Sequence, residues 1–339
     1  MARFIGVDLH PTALTVCVLA GTGEQSFQDY KLGELAQFTA SLRRGDRLAV
    51  EATGNTRWFC EQVGGRVKQV VVVNPRRFEI IKRSANKTDR RDAANLALFL
   101  SKDLLPEARM KEKAQAQLSH LCQTRDKLVK QRTALLNQLH ALSNAHGLPG
   151  KKEAYASERG LQAVLQEAAF DEIERVEVEV LVGQVRSLNE GIKRLEAEIR
   201  EQGPKLDGHD NLTSIKGIGT KAATILLSVI GDIEDFADEA KLASYFGVVP
   251  TVKQSNETVH LGRISKEGSK LGRTTLVQCT LVAKKYSPYL KQYYERIKAR
   301  RGAGKAIIAT ARKFLGIIYQ TLKNKWVFED FPNFVLAEK

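Results

Sequence analysis

The chain has 339 residues, 43% of them hydrophobic, and 53 Lys and Arg against 39 Asp and Glu give a formal net charge of +14. That apolar content is enough for two or three packed domains and excludes wholesale disorder. The positive surplus points to a polyanionic partner, and no apolar run reaches the length of a membrane-spanning helix. Residues 1–105 read as alternating strand and helix. Arg3–Leu9 and Ala13–Ala20 are predicted strands joined by a turn at His10-Pro11-Thr12, and Gln25–Lys31 is a third. Leu35–Arg43 suits a helix, Arg47–Ala52 a buried strand and Trp58–Val63 a second helix. Val67–Val73 is a β-branched run stopped by Asn74-Pro75. Asp89–Ser101 places Ala93, Leu96, Ala97 and Leu100 on one helical face. The order βββαβαβα predicts a mixed central sheet with helices on its faces.

Residues 112–145 and 171–202 are rich in Gln, Glu, Lys and Arg. Leu121, Leu128, Leu135 and Leu142 recur every seven residues. So do Val178, Val185, Ile192 and Ile199, interleaved with Leu181, Leu188 and Leu195. A pattern that fills both apolar seam positions of a heptad predicts a coiled coil, within one chain or between chains. Gly147-Leu148-Pro149-Gly150 breaks the two helices apart. This segment reads as an assembly arm without chemistry of its own.

Residues 205–330 read as mostly helical. Ile215-Lys216-Gly217-Ile218-Gly219-Thr220-Lys221 resembles the turn of a helix-hairpin-helix element. Its exposed amides, with Lys216 and Lys221 beside Gly217 and Gly219, suit nucleic-acid phosphates. After Phe246-Gly247-Val248-Val249-Pro250 comes a stretch read as a long polar loop, Thr251 to Gly268, which contains Ser255, Arg263, Ser265 and Lys266. Arg273, Lys284 and Lys285 add positive charge, and the run from Lys298 to Lys305 reads as a solvated helix end.

The chemistry sits in four acids. Asp8 lies inside the apolar run Phe4-Ile5-Gly6-Val7-Asp8-Leu9, and Glu51 ends another. Asp89 and Asp92 share one face of the following helix. An ionised carboxylate in an apolar strand is costly unless something balances it. Several together are best balanced by a hard divalent cation, Mg²⁺ or Mn²⁺, and one or two such ions suit in-line phosphoryl displacement. Cys17, Cys60, Cys122 and Cys279 are scattered, which argues against a zinc site or a disulfide framework and fits a reducing compartment. The six histidines form no ligand pair and read as surface or helper residues. No signal-peptide pattern opens the sequence, so a cytoplasmic location is expected.

In these residues the chain resembles a known family. The N-terminal pattern with Asp8, Glu51, Asp89 and Asp92 resembles the RuvC-like, ribonuclease-H-type DEDD domain. The whole chain resembles the DEDD transposases of bacterial insertion sequences, the group related to pilin-gene invertases. The shared strings are Ile5-Gly6-Val7-Asp8, Glu51-Ala52-Thr53-Gly54, Val73-Asn74-Pro75 and Asn86-Lys87-Thr88-Asp89 with Asp92-Ala93. Further on they are Ile215-Lys216-Gly217-Ile218-Gly219, Phe246-Gly247-Val248-Val249-Pro250 and Gly262-Arg263-Ile264-Ser265-Lys266. The resemblance implies an α/β plus α chain. It would have a catalytic domain at 1–105, a coiled-coil segment at 106–204 and a mostly helical domain at 205–339 that carries a nucleophilic serine.

It also implies a recombinase in which a serine attacks DNA and forms a covalent phosphoserine link. Ser255 holds that place. The family has Gly after the serine where this chain has Asn256, so Ser265 and Ser269 stand as alternatives. The implied partners are donor and target DNA, a bridge RNA that guides them, and further copies of the chain as a dimer to tetramer, on the bacterial nucleoid. Two other readings use the same residues. One is a junction-resolving nuclease in which water attacks, and the other a non-catalytic coiled-coil protein that binds nucleic acid.

Overall fold

The structure is a computed structural model. It describes residues 3–75, 77–78, 88–148, 152–255 and 258–334, without the side chains at 253–255, 258–259 and 261. The chain forms two compact units, Met1–Met110 and Lys111–Lys339.

The first unit is built on a five-stranded mixed sheet. Its strands are β1 (Arg3–Leu9), β2 (Ala13–Ala20), β3 (Gln25–Lys31), β4 (Arg47–Glu51) and β5 (Gln69–Val73), in the order β3-β2-β1-β4-β5. β1 pairs antiparallel with β2 and parallel with β4, and β5 runs parallel to β4. The sequence reading of a mixed sheet therefore holds, with strand limits shifted by at most two residues. Helices cover both faces. On one side α1 (Leu35–Ser41) and α2 (Thr56–Val63) bury Phe38, Phe59 and Val63 against Ile5, Val7, Leu48 and Val50. α2 starts two residues before the predicted Trp58. There Thr56 accepts a hydrogen bond from the Thr53 amide at 2.8 Å and donates to the Glu51 carbonyl at 2.7 Å, which closes the turn after β4.

The other face belongs to α3 (Asp89–Ser101). Strand alternation sends Gly6 and Asp8 to the side opposite Ile5 and Val7, and Ala49 and Glu51 to the side opposite Leu48 and Val50. α3 lies on that side, burying Ala93, Leu96, Ala97 and Leu100 against Phe4, Cys17, Ala49 and Val71. The approach is close because residue 6 has no side chain. A Cβ on Gly6 would overlap the Ala93 carbonyl oxygen and stand 2.6 Å from the Ala97 amide nitrogen. The start of α3 is fixed by Thr88, which accepts from the Arg91 amide at 3.3 Å, and by Arg90, which reaches Asp29 on β3 at 3.2 Å.

In the second unit, α4 (Lys113–Ala145) and α6 (Glu172–Gln202) form an antiparallel helical hairpin. Arg125 reaches Glu196 at 2.6 Å and Arg132 reaches Asn189 at 2.9 Å, which fixes the register. The second heptad set packs as expected: Val178, Val185, Ile192 and Ile199 are all buried. Leu121, Leu128, Leu135 and Leu142 are only half-buried, while Leu118, Cys122, Leu136 and Leu139 make the buried seam of α4. The hairpin is closed by α5 (Glu158–Leu165), whose Leu161 and Val164 join its core.

α7 (His209–Thr213), α8 (Thr220–Ile230), α9 (Glu239–Tyr245), α10 (Lys270–Tyr286), α11 (Pro288–Arg301) and α12 (Ala303–Lys323) complete the unit. The segments expected as 106–204 and 205–339 belong to one compact unit, because Cys122, Ile199 and Ile225 share a cluster. The expected polar loop 251–268 is corrected. It is a β-hairpin of β6 (Pro250–Ser255) and β7 (Thr258–Ile264), with Ser255 paired to Thr258 beside the turn. Both its faces carry polar residues, so it lacks the one-sided apolar alternation by which a strand is recognised. Asn256 lies outside the described residues.

Gly6→Ala forces a methyl into the α3 backbone, and overpacking of this kind costs about 1–3 kcal/mol. The expected result is a thermal midpoint for the N-terminal unit several degrees below the parent; an unchanged midpoint would mean that α3 does not pack directly on β1.

Candidate functional site

Asp8 and Glu51 stand at the carboxyl ends of two adjacent parallel strands. The β1–β4 register pairs Val7 with Val50, which brings the next residues, Asp8 and Glu51, side by side on the α3 face. Crevices beyond the carboxyl ends of parallel strands are where open α/β sheets bind ligands. Asp89 and Asp92 come from the first turn of α3, where the helix dipole favours negative charge. Asp92 is buried and Asp89 exposed.

The four acids are electrostatically coupled. Burial pushes the Asp8 carboxyl above the usual carboxylate range, His10 pulls it back, and the charges of Asp89, Asp92 and Glu51 push it up again. His10 is the residue that sequence reasoning passed over. Its Nε2 lies 3.4 Å from Asp8 Oδ2 and 3.5 Å from Asp89 Oδ2. Asp8, His10 and Asp89 offer ligand atoms that all lie within 4.8 Å of one another. The signal available in the sequence was only that His10 follows Asp8 by two residues, just past the end of β1. Hard carboxylate oxygens beside a desolvated Asp8 fit the chemistry of a divalent cation, and the residues brought within reach of one ion are Asp8, His10 and Asp89. Beside His10 opens a hollow of about 610 Å³ walled by Leu9, Pro11, Thr53, Asn55 and the half-exposed Trp58.

The other predicted residues lie in the second unit. Lys216 is exposed, and Gly219 opens α8 with free space around it. Gly217 instead packs on the backbone of Ala283, and Lys221 pairs with Glu196 at 3.4 Å. Arg273 is turned inward: it donates to the Phe246 and Glu267 carbonyls at 3.0 and 2.7 Å, and burial lowers its pKa. With Gly247, whose φ of +65° and close approach to the backbone of Lys266 leave no room for a side chain, Arg273 clasps the base of the hairpin. Arg263 and Lys266 open onto a cleft.

Of the three candidate serines, Ser269 caps α10 by accepting from the Gly272 amide at 3.1 Å. Ser265 accepts from the Glu267 amide at 3.5 Å. The Ser255 side chain lies outside the described residues. All four cysteines are buried and free, and burial pushes the thiols of Cys17, Cys122 and Cys279 up to about 11. Among the described residues no helix is long and apolar enough to cross a membrane.

Residues 5–145 match the DEDD transposase model of IS110-type elements, and residues 209–295 match the transposase model of the IS116/IS110/IS902 family. The chain belongs to the IS110-type DEDD transposases. It is 27% identical to the transposase for insertion sequence element IS1111A of Coxiella burnetii, over 94% of this chain and 89% of that protein. It is 26% identical to a pilin gene-inverting protein of Moraxella bovis, over 96% of this chain and 97% of that one. A probable family 20 transposase of Pseudomonas aeruginosa is 22% identical over 82% of this chain and 84% of that protein. The first family model carries all four acids of the site, and the second carries the β6–β7 hairpin.

The raised Asp8 pKa sets the sign of a pH effect. The unfolded chain ionises Asp8 first, so the cation-free fold keeps this stability below the usual carboxylate value and loses it as pH rises through the folded one. Near neutral pH, added Mg²⁺ or Mn²⁺ should raise the thermal midpoint, and the gain should fade as pH falls into the carboxylate range. Asp8→Asn should raise the cation-free midpoint by about 1–3 °C and remove most of the cation response. An equal cation response in Asp8→Asn and parent would show that the acids hold no ion.

Proposed function

We propose that this transposase is an RNA-guided DNA recombinase that cuts and rejoins strands through a covalent serine–DNA link. The observation that supports the reading is the cluster of Asp8, His10 and Asp89 at the end of β1, with the charges of Asp92 and Glu51 also acting on Asp8. Mg²⁺, or Mn²⁺, bound there supplies charge neutralisation at a phosphodiester and lowers the cost of deprotonating a nearby hydroxyl. The acids orient that ion and fix where the phosphate stands. The hollow beside His10 leaves room for the nucleotide that carries the phosphate.

Ser255 is the nucleophile in this reading. Its Oγ attacks phosphorus, the P–O bond to a deoxyribose breaks, and the DNA remains esterified to the protein. The rejoining strand reverses the exchange, so backbone energy is conserved and no nucleotide cofactor is consumed. Ser255 ends β6, where it pairs with Thr258, whereas the hydroxyls of Ser265 and Ser269 are already held by backbone amides. An unassisted serine is a poor nucleophile near neutral pH, which is why the acid set is needed.

Guidance by a bridge RNA rests on the family resemblance. It is consistent with a protein whose basic residues grip backbone while base pairing reads sequence. Assembly into a dimer or tetramer is supported by an uncovered apolar stripe on α6: Ile173, Val176 and Val180 follow helical spacing and are 82%, 62% and 59% exposed.

Incubation with cognate DNA, guide RNA and Mg²⁺ should yield a protein–DNA adduct that survives denaturation and disappears in Ser255→Ala. Strand cutting that persists in Ser255→Ala without an adduct would mean that water attacks, and cutting that persists with an adduct would mean that another serine does. Ile173→Glu with Val176→Glu should lower the mass seen by light scattering while leaving the helical signal intact. An unchanged mass would remove the stripe from the interface.

A further inference from the structure

The second unit holds a cleft of about 890 Å³ between the base of the β6–β7 hairpin and α12. Arg263 and Lys266 face it from the hairpin side, Arg301 from the end of α11, and Lys305 and Arg312 from α12. Among the described residues none of these five cations forms an ion pair, and Glu239 is the one acid in the wall. Lys313 on the floor is already engaged, with its ammonium hydrogen-bonded to Tyr289 and lying over that ring at 5.7 Å. Five like charges converging without partners repel one another, a cost that an anion offsets.

The layout favours an extended anion over a compact one. Lys305 and Arg312 are seven residues apart on α12, hence on one face and about 10 Å apart along its axis. That is about three phosphate steps on one DNA strand, at about 3.4 Å of helix axis per step. α12 also lies beyond both matched regions, which end at residues 145 and 295. Continuity with the hairpin chooses the occupant. From Pro250, in the wall of the cleft, to Ser255 the strand β6 advances five residues, or about 17 Å, close to five base steps.

We propose that this cleft is a phosphodiester subsite that clamps the DNA strand leading to the serine, about five nucleotides from the phosphate under attack. The cations bind backbone oxygens and read no base. The spacing to the attacked phosphate rests on the Ser255 reading above, whereas the clamp itself does not.

The test uses the full-length protein without divalent metal, a labelled DNA duplex and an RNA duplex of the same sequence, and follows binding against salt. In R301A/K305A/R312A the slope of log K against log salt for DNA should become shallower by about 2–3, and affinity should fall about ten- to a hundredfold. The control K127A/K130A/K193A removes the same charge from the helical hairpin and should keep the parental slope. Thermal midpoints check that both variants fold. A DNA slope in the cleft variant equal to that of the control overturns the proposal, and so does a loss confined to RNA. A neutral methylphosphonate walked along one strand then reads the spacing. It should weaken parental binding most about five positions from the exchanged phosphate and have no such effect in the cleft variant. A maximum elsewhere, with the slope change intact, refutes the Ser255 spacing and leaves the clamp standing. Persistence of the adduct in Ser255→Ala bears on the nucleophile alone.

Discussion

The helix that supplies half of the acid set rests directly on the strand that supplies Asp8, with no side chain between them at Gly6. Everything at the site depends on that close approach. A helix normally packs on a sheet about 10 Å away, separated by side chains from both layers. Here Ala93 and Ala97 face Gly6 and Cys17, all small, and the helix sinks toward the sheet. Its first turn then reaches the ends of β1 and β4, where Asp8 and Glu51 stand. Without that approach Asp89 and Asp92 would be ordinary acids at a helix N-terminus, stabilising the dipole and nothing more.

The arrangement is electrostatically unfavourable by itself. Asp8 is desolvated and surrounded by like charges, and His10 stands 3.4 Å from it. Native proteins keep such conflicts where function needs them. Arg90, next in sequence to Asp89, reaches Asp29 on β3 at 3.2 Å. The basic surplus gathers elsewhere, in particular around the cleft that Arg263, Arg301 and Arg312 share. The acid cluster and the basic cleft are kept apart along the sequence.

Much of this was legible in the residues because it is written in short-range periodicity. The β-branched runs at 3–9 and 69–73 could hardly be anything but strands. The heptad at Val178, Val185, Ile192 and Ile199 reads directly as a buried seam. The acids were visible because Asp8 and Glu51 interrupt or end apolar runs, where a charge demands an explanation. What was not legible depends on partners far away in sequence. The resemblance implies a boundary between residues 204 and 205, and Ile199 and Ile225 pack on Cys122 across it. Arg273 reads as one more cation for nucleic acid, yet its guanidinium closes a turn by binding two carbonyls. The run from Lys298 to Lys305 reads as a solvated helix end, and Arg301 and Lys305 face a cleft that only the hairpin's return places opposite them. His10 escaped because one histidine beside one acid is a common pair, and Asp89, which completes the cluster, is distant in sequence.

The division between the two units has a consequence for specificity. Phosphate contacts set position and orientation but carry no base information, whatever their number. The residues gathered on the second unit, from the amides of the Gly217–Gly219 turn to the cations of the cleft, are suited to backbone. In the proposed function the acids of the first unit act on a phosphodiester, which is the same at every step of DNA. A chain that presents only these groups can exchange strands wherever it is seated, so the choice of sequence must enter through a component whose edges pair with bases. A guide nucleic acid meets that requirement. Under the proposed function, the protein has only to hold two backbones against a cation and a serine hydroxyl for as long as pairing keeps the strands in register.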